Sequence, residues 1–193
     1  MEKVLTATSY GISLFSHKIF QDFLKTEKVR TKKVLKNFQE NHERYLSSLK
    51  DGVWVPFVPI DTLKYSIKVE NKGEFFDDDW VKKFDHKDFN IHIDGSIWIT
   101  GLGLLLEYDK TKFIDDVISS ETLDGIPLSF GFRYDLESGK YLVKITGYSL
   151  KEKLDYPNAN YGFLFSFVKV DHFEGFNDPR EDEKYNFNVA DMD

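Results

Sequence analysis

The chain reads as an α+β protein: an N-terminal helical hairpin packed on one face of a curved, mostly antiparallel sheet with short helical insertions. Three observations predict this. Apolar residues recur every three or four positions between residues 17 and 50, the period of a helix with one buried stripe. From residue 53 onward they alternate with polar residues, the period of a strand. The strongest alternation, FNIHIDGSIWITG at Phe89–Gly101, carries a turn signal at its centre. With 193 residues, no internal repeat and no low-complexity linker, the chain reads as a single domain over 1–193. Within it lie a helical segment at 17–50, a sheet with insertions at 53–170 and an acidic tail at 171–193.

Residues 3–15 contain a short strand. Ser16 is an N-cap candidate for a helix with Ile19, Phe20, Phe23 and Leu24 on one stripe. The basic run TEKVRTKK breaks that stripe. A second helix from about Thr31 carries Val34, Leu35, Phe38, His42, Tyr45, Leu46 and Leu49, and Gly52 stands where a left-handed C-cap belongs. The two form a helical hairpin or one bent helix.

Val53–Ile60 is extended, and Pro56 and Pro59 confine it to an edge or to irregular structure. Leu63, Tyr65, Ile67 and Val69 make a half-buried strand closed by Asn71-Lys72-Gly73. The run EFFDDDWVKKF predicts a short helix with Trp80, Val81 and Phe84 facing inward. The Phe89–Gly101 segment predicts a β-hairpin. A loop of Ile93-Asp94-Gly95, with Gly95 at the left-handed position, pairs Ile91 with Ile97 and Phe89 with Ile99. Asn90, His92, Ser96 and Trp98 then share the opposite face, because a one-residue slip would exchange the faces.

LGLLLEYD is a strand or a buried turn. Thr111 caps a third helix whose stripe is Phe113, Ile114, Val117 and Ile118. A second hairpin turns at Ser138-Gly139, pairing Tyr134 with Val143 and Glu137 with Lys140. Tyr161–Val170 reads as a central strand, since its early part is apolar on both faces.

Composition narrows the function. There is no cysteine, so disulfides, thiolate metal sites and cysteine nucleophiles are excluded and a reducing compartment is expected. The N-terminus lacks a signal-peptide pattern, and no apolar run approaches the ~18 residues of a membrane span. The expectation is a cytoplasmic protein without membrane contact. The net charge of −7 is unevenly spread. Lys25, Lys28, Arg30, Lys32, Lys33 and Lys36 stand against Glu27 alone, whereas 171–193 holds eight acids against Arg180 and Lys184.

Catalytic and metal chemistry find no signature. His86, His92 and Asp94, with Asp85 and Asp88 nearby, are the metal candidates, but no spacing matches a known ligand pair. Asp77-Asp78-Asp79 and Asp115-Asp116 read as caps and solvated faces rather than an acid–base pair. No serine stands in a nucleophile elbow, and Gly101-Leu102-Gly103 lacks the third glycine of a phosphate loop. The basic run has no interleaved aromatics, so it reads as a solvated helix face rather than a nucleic-acid surface. Attraction between this run and the acidic tail within one molecule is a further expectation, and it should weaken with salt.

What remains is a non-enzymatic, acidic protein-binding module without a cofactor. Its concrete form is an immunity-type inhibitor that covers a basic toxin, such as a nuclease. The expected contact residues are Glu174, Asp178, Glu181, Asp182 and Glu183, with Trp98 as an aromatic anchor if its face is open. The alternative is a small-molecule or lipid binder, or a hydrolase, built on an aromatic-lined cavity in the curved sheet.

Overall fold

The computed structural model describes residues 2–181 and 183–192. Three helices and two mostly antiparallel sheets make a mixed α+β fold. The helices are α1 (His17–Thr26), α2 (Val34–Glu40) and α3 (His42–Lys50). The first sheet has the order β1 (Val4–Thr6), β4 (Lys64–Val69), β10 (Tyr161–Val170), β9 (Gly139–Leu150), β5 (Trp80–Ile93). The second has the order β3 (Trp54–Phe57), β2 (Ile12–Phe15), β6 (Ser96–Gly101), β8 (Pro127–Asp135), β7 (Val117–Glu121). All pairings are antiparallel except β4 with β10.

Two sheets replace the one expected, and neither hairpin forms. β5 pairs with β9 in the first sheet, whereas β6 pairs with β2 and β8 in the second. Phe89 therefore faces Val143 and Ile91 faces Tyr141, while Ile97 faces Tyr134 and Ile99 faces Phe132. The β8–β9 segment makes the same change of sheet in the opposite direction. These two segments run antiparallel to each other and turn the corner together, and the Leu136 N–H donates to the Gly95 carbonyl at 3.1 Å. Gly95 does take the left-handed conformation, with φ +73°. Lys140 is consequently not opposite Glu137. Glu137 pairs with Lys169, and the Lys140 ammonium stands 5.4 Å from the Phe173 ring centre.

The alternation still sorts the side chains. Ile91, Ile93, Ile97 and Ile99 join Phe57, Phe163, Phe165 and Phe187 in the apolar layer between the sheets. On the far face of the second sheet, Phe15, Trp54 and Trp98 meet Phe20, Phe38 and Leu49 from the helices. The helices thus cover that sheet, and Trp98 is core.

Other expectations divide. β10 is the middle strand of its sheet, and β3 is an edge strand, where its proline is tolerated. Gly52 ends α3 at φ +67°, with the Val53 N–H returning to the Ser48 carbonyl at 2.8 Å. The helical segment holds three helices, and Asn41 caps the last by accepting from the Arg44 N–H at 3.0 Å. No helix forms at Trp80–Phe84, which begins β5. Nor does Thr111 start one. A single 3₁₀ turn at 110–112, capped by Asp109, leads into β7, because Ile118 completes a sheet edge beside Gly131. LGLLLEYD starts as a 3₁₀ turn, not a strand. No helix is long and apolar enough to cross a membrane.

Candidate functional site

The acidic tail is fastened to the body. Tyr185, Phe187 and Val189 are buried in the layer between the sheets, and the Phe187 ring lies 5.0 Å from that of Phe57. Asn188 bridges inward, accepting from the Asp61 N–H at 3.1 Å and donating to the Asp61 carboxylate at 3.2 Å. Along β5, the His86 ring meets the Asn186 carbonyl at 2.9 Å, and the Asn90 amide donates to the Gly175 carbonyl at 2.7 Å. Among the described residues, no ion pair joins the tail to the Lys25–Lys36 run. Aromatic burial and amide hydrogen bonds hold the tail instead.

Between the tail and β5 lies a groove of about 620 Å³ lined by Asp88, Asp171, His172, Glu174, Phe176 and neighbouring residues. Asp88 comes from an irregularity in β5 between His86 and Phe89, where its φ is +67°. Such a bulge breaks the regular ladder of an edge strand and re-aims a side chain. The Asn177 amide donates to the Asp88 carbonyl at 3.1 Å, and among the described residues the Asp88 carboxylate has no partner. Asp88, Asp171 and Glu174 make no ion pair, and no lysine or arginine lines the groove. Phe176, 39% exposed, supplies an aromatic surface.

The expected contact acids are only partly brought together. Glu174 lines the groove, and Glu181 and Glu183 are exposed nearby in sequence. Asp178 is committed to the fold: it accepts from the Tyr45 hydroxyl at 2.5 Å and from the Arg180 N–H at 2.9 Å. Burial and the Asp178 carboxylate raise the Tyr45 pKa, keeping the phenol a donor. Asp182 lies outside the described residues. Trp98, 1% exposed, is not available as an anchor, since the helices cover its face. Sequence reasoning named Asp88 only beside the metal candidates and Asp171 only as part of the acidic tail, and passed over Phe176. Asp88 offers no signal beyond its place in a charged stretch, because the bulge that aims it follows from pairing with β9.

The metal candidates have separate tasks. His86 stacks on Phe84 with ring centres 4.6 Å apart, and Asp94 pairs with Lys18. His92 is half-buried, and burial, helped by the Lys140 charge, lowers its pKa. Among the described residues no three histidines or carboxylates are grouped to hold a metal ion. Against protein-family models, curated proteins and solved structures, the chain matches none.

Proposed function

We propose that the chain is a non-enzymatic protein-binding module whose acidic groove beside β5 receives a basic segment of a partner protein, in the manner of an immunity-type inhibitor covering a cationic toxin. One observation carries the reading: Asp88, Asp171 and Glu174 line the groove without an ion pair among the described residues, with the Phe176 ring at its side. Unpaired carboxylates on a fixed frame steer a cationic partner, and an aromatic anchor slows its departure. The rigid docking of the tail supports this use, because less ordering cost falls on association. The second reading, an aromatic-lined cavity for a small molecule, receives less support. Phe57, Phe163, Phe165 and Phe187 occupy the layer between the sheets with ring centres about 5–6 Å apart.

The test compares the wild type with a triple variant, Asp88→Asn, Asp171→Asn and Glu174→Gln, as baits in an extract of the native host at low salt. A basic protein retained by the wild type and lost from the variant supports the reading. Equal retention by both baits, or purification of the protein with a bound apolar small molecule, overturns it.

A further inference from the structure

A second groove lies against the α1–α2 connection, with the opposite charge. It measures about 830 Å³ and is lined by Lys25, Lys28, Arg30, Lys32 and Lys110, against Asp22 and Asp109. The Asp109 carboxylate accepts from the Thr111 N–H and hydroxyl, at 3.0 and 2.8 Å, and also feels the Lys32 charge without forming an ion pair. The acid within the basic run is withdrawn: Arg44 reaches from α3 to hold the Glu27 carboxylate at 3.2 Å. The five cations are left without an ion pair, in a protein whose net charge is −7.

Two further features mark the walls of this groove. Tyr108 lines this groove and is 9% exposed, and its buried hydroxyl has no hydrogen-bond partner. The Gln21 amide, which also meets the His17 ring at 2.6 Å, approaches that hydroxyl as a donor without normal hydrogen-bond geometry, and nothing accepts the hydroxyl's own proton. An unmade hydrogen bond at a buried hydroxyl is costly, and native structures keep few. The second is Lys28. The Lys28 N–H returns to the Lys25 carbonyl at 3.1 Å and the Val29 N–H to the Leu24 carbonyl at 2.8 Å, closing α1 with Lys28 in the left-handed position at φ +56°. Glycine is the usual occupant there, so lysine carries a local conformational cost.

We infer that this groove binds a small polyanion carrying phosphate groups, of nucleotide size, with its cations on the phosphates. The volume lies within the range of about 300–1,000 Å³ usual for small-molecule sites. A single strand of nucleic acid fits less well. The Tyr108 N–H donates to the Lys32 carbonyl at 2.8 Å and ties the two walls together. Tyr108, the one aromatic in the lining, is buried and offers no platform for stacking bases.

Calorimetric titration with sodium tripolyphosphate and with a nucleoside triphosphate tests the inference, at about 50 and 300 mM salt. Binding at sub-millimolar concentration is expected, weakening as salt rises. A Lys28→Gln, Lys110→Gln double variant should lose about tenfold or more. Lys28→Gly separates ligand binding from architecture: it should raise Tm by a few degrees while weakening tripolyphosphate about threefold or more. Absence of heat with either probe at low salt overturns the site, as does unchanged affinity in the double variant. Tighter binding of a short single-stranded oligonucleotide than of the nucleoside triphosphate replaces the small ligand with nucleic acid. The acidic-groove variants leave these titrations unchanged, so either proposal can fail alone.

Discussion

The Ser16 hydroxyl accepts the backbone N–H of Asp94 at 3.0 Å, although Ser16 precedes α1 and is placed to cap it. The α1 N-terminus receives no side-chain cap, and the hydroxyl instead fixes the point where β5 passes into β6. Lys18, the second residue of α1, pairs with the carboxylate of the same Asp94. The entrance of the helical layer is thereby fastened to the corner shared by both sheets. Ser16→Ala leaves the Asp94 N–H without its acceptor and should cost about 1–2 kcal/mol, read as a lower urea midpoint with unchanged slope. Lys18→Gln, by contrast, should leave the midpoint nearly where it was, because that ion pair faces solvent.

The corner also shows what a sequence can and cannot convey. Alternation at Phe89–Ile99 correctly separates Ile91 and Ile97 from Trp98, because the two-residue period depends only on extended backbone. Gly95 is equally legible, since a tight change of direction needs a left-handed residue. The partner strand is not. A chain that reverses within one sheet and a chain that bends from one sheet into another need the same alternation and the same glycine. The choice is made by Val143 opposite Phe89 and by Phe132 opposite Ile99, residues 54 and 33 positions further along the chain. The helices expected at Trp80–Phe84 and after Thr111 were misread for a related reason: short apolar runs fit either period, and pairing decides. The candidate site was half legible. The acidity of the tail lies on the surface of the sequence, but the groove depends on the tail folding back along β5, where Asn90 holds Gly175 and Asn177 holds Asp88.

Tail anchoring leads to a prediction about salt. Phe187 is fully buried among Phe57, Phe84, Phe89 and Tyr185, so Phe187→Ala should destabilise the protein by about 3–5 kcal/mol. Glu181→Gln and Glu183→Gln should change stability by no more than about 0.5 kcal/mol. Hydrogen exchange of the amides at 185–189 should be equally slow at low and high salt. A salt-dependent acceleration there would show that charge attraction, and not ring burial, holds the tail.

Stability should depend on pH through His17. Burial lowers its pKa below the ordinary 6.5, with the ring stacked on Phe113 at 4.8 Å. The unfolded chain therefore binds the proton at a higher pH than the folded one. Stability falls as pH drops through 6.5 and levels off below the folded-state pKa, while above neutrality it is unaffected by this group. His92, lowered in the same direction by burial and the Lys140 charge, adds to the slope. Urea midpoints measured from about pH 5 to 8 should rise and then flatten, and a His17→Gln, His92→Gln double variant should lose most of that rise. A slope unchanged in the variant would assign the effect to other groups.

Trp98 and Phe176 should separate folding from binding. Trp98 packs edge-on against Phe113, ring centres 5.2 Å apart, beneath the helical layer. Trp98→Ala opens a cavity there and should cost about 3–5 kcal/mol, with any loss of partner binding following from loss of fold. Phe176 lies at the rim of the acidic groove and is partly exposed, so Phe176→Ala should change stability by less than about 1 kcal/mol. If the groove receives a basic partner, the same substitution should weaken binding about tenfold or more, chiefly by faster dissociation. Titrating the captured partner against both variants at a temperature where each is folded gives the comparison. Binding that survives Phe176→Ala but tracks stability across a series at Trp98 would place the contact surface over the helices instead of beside β5.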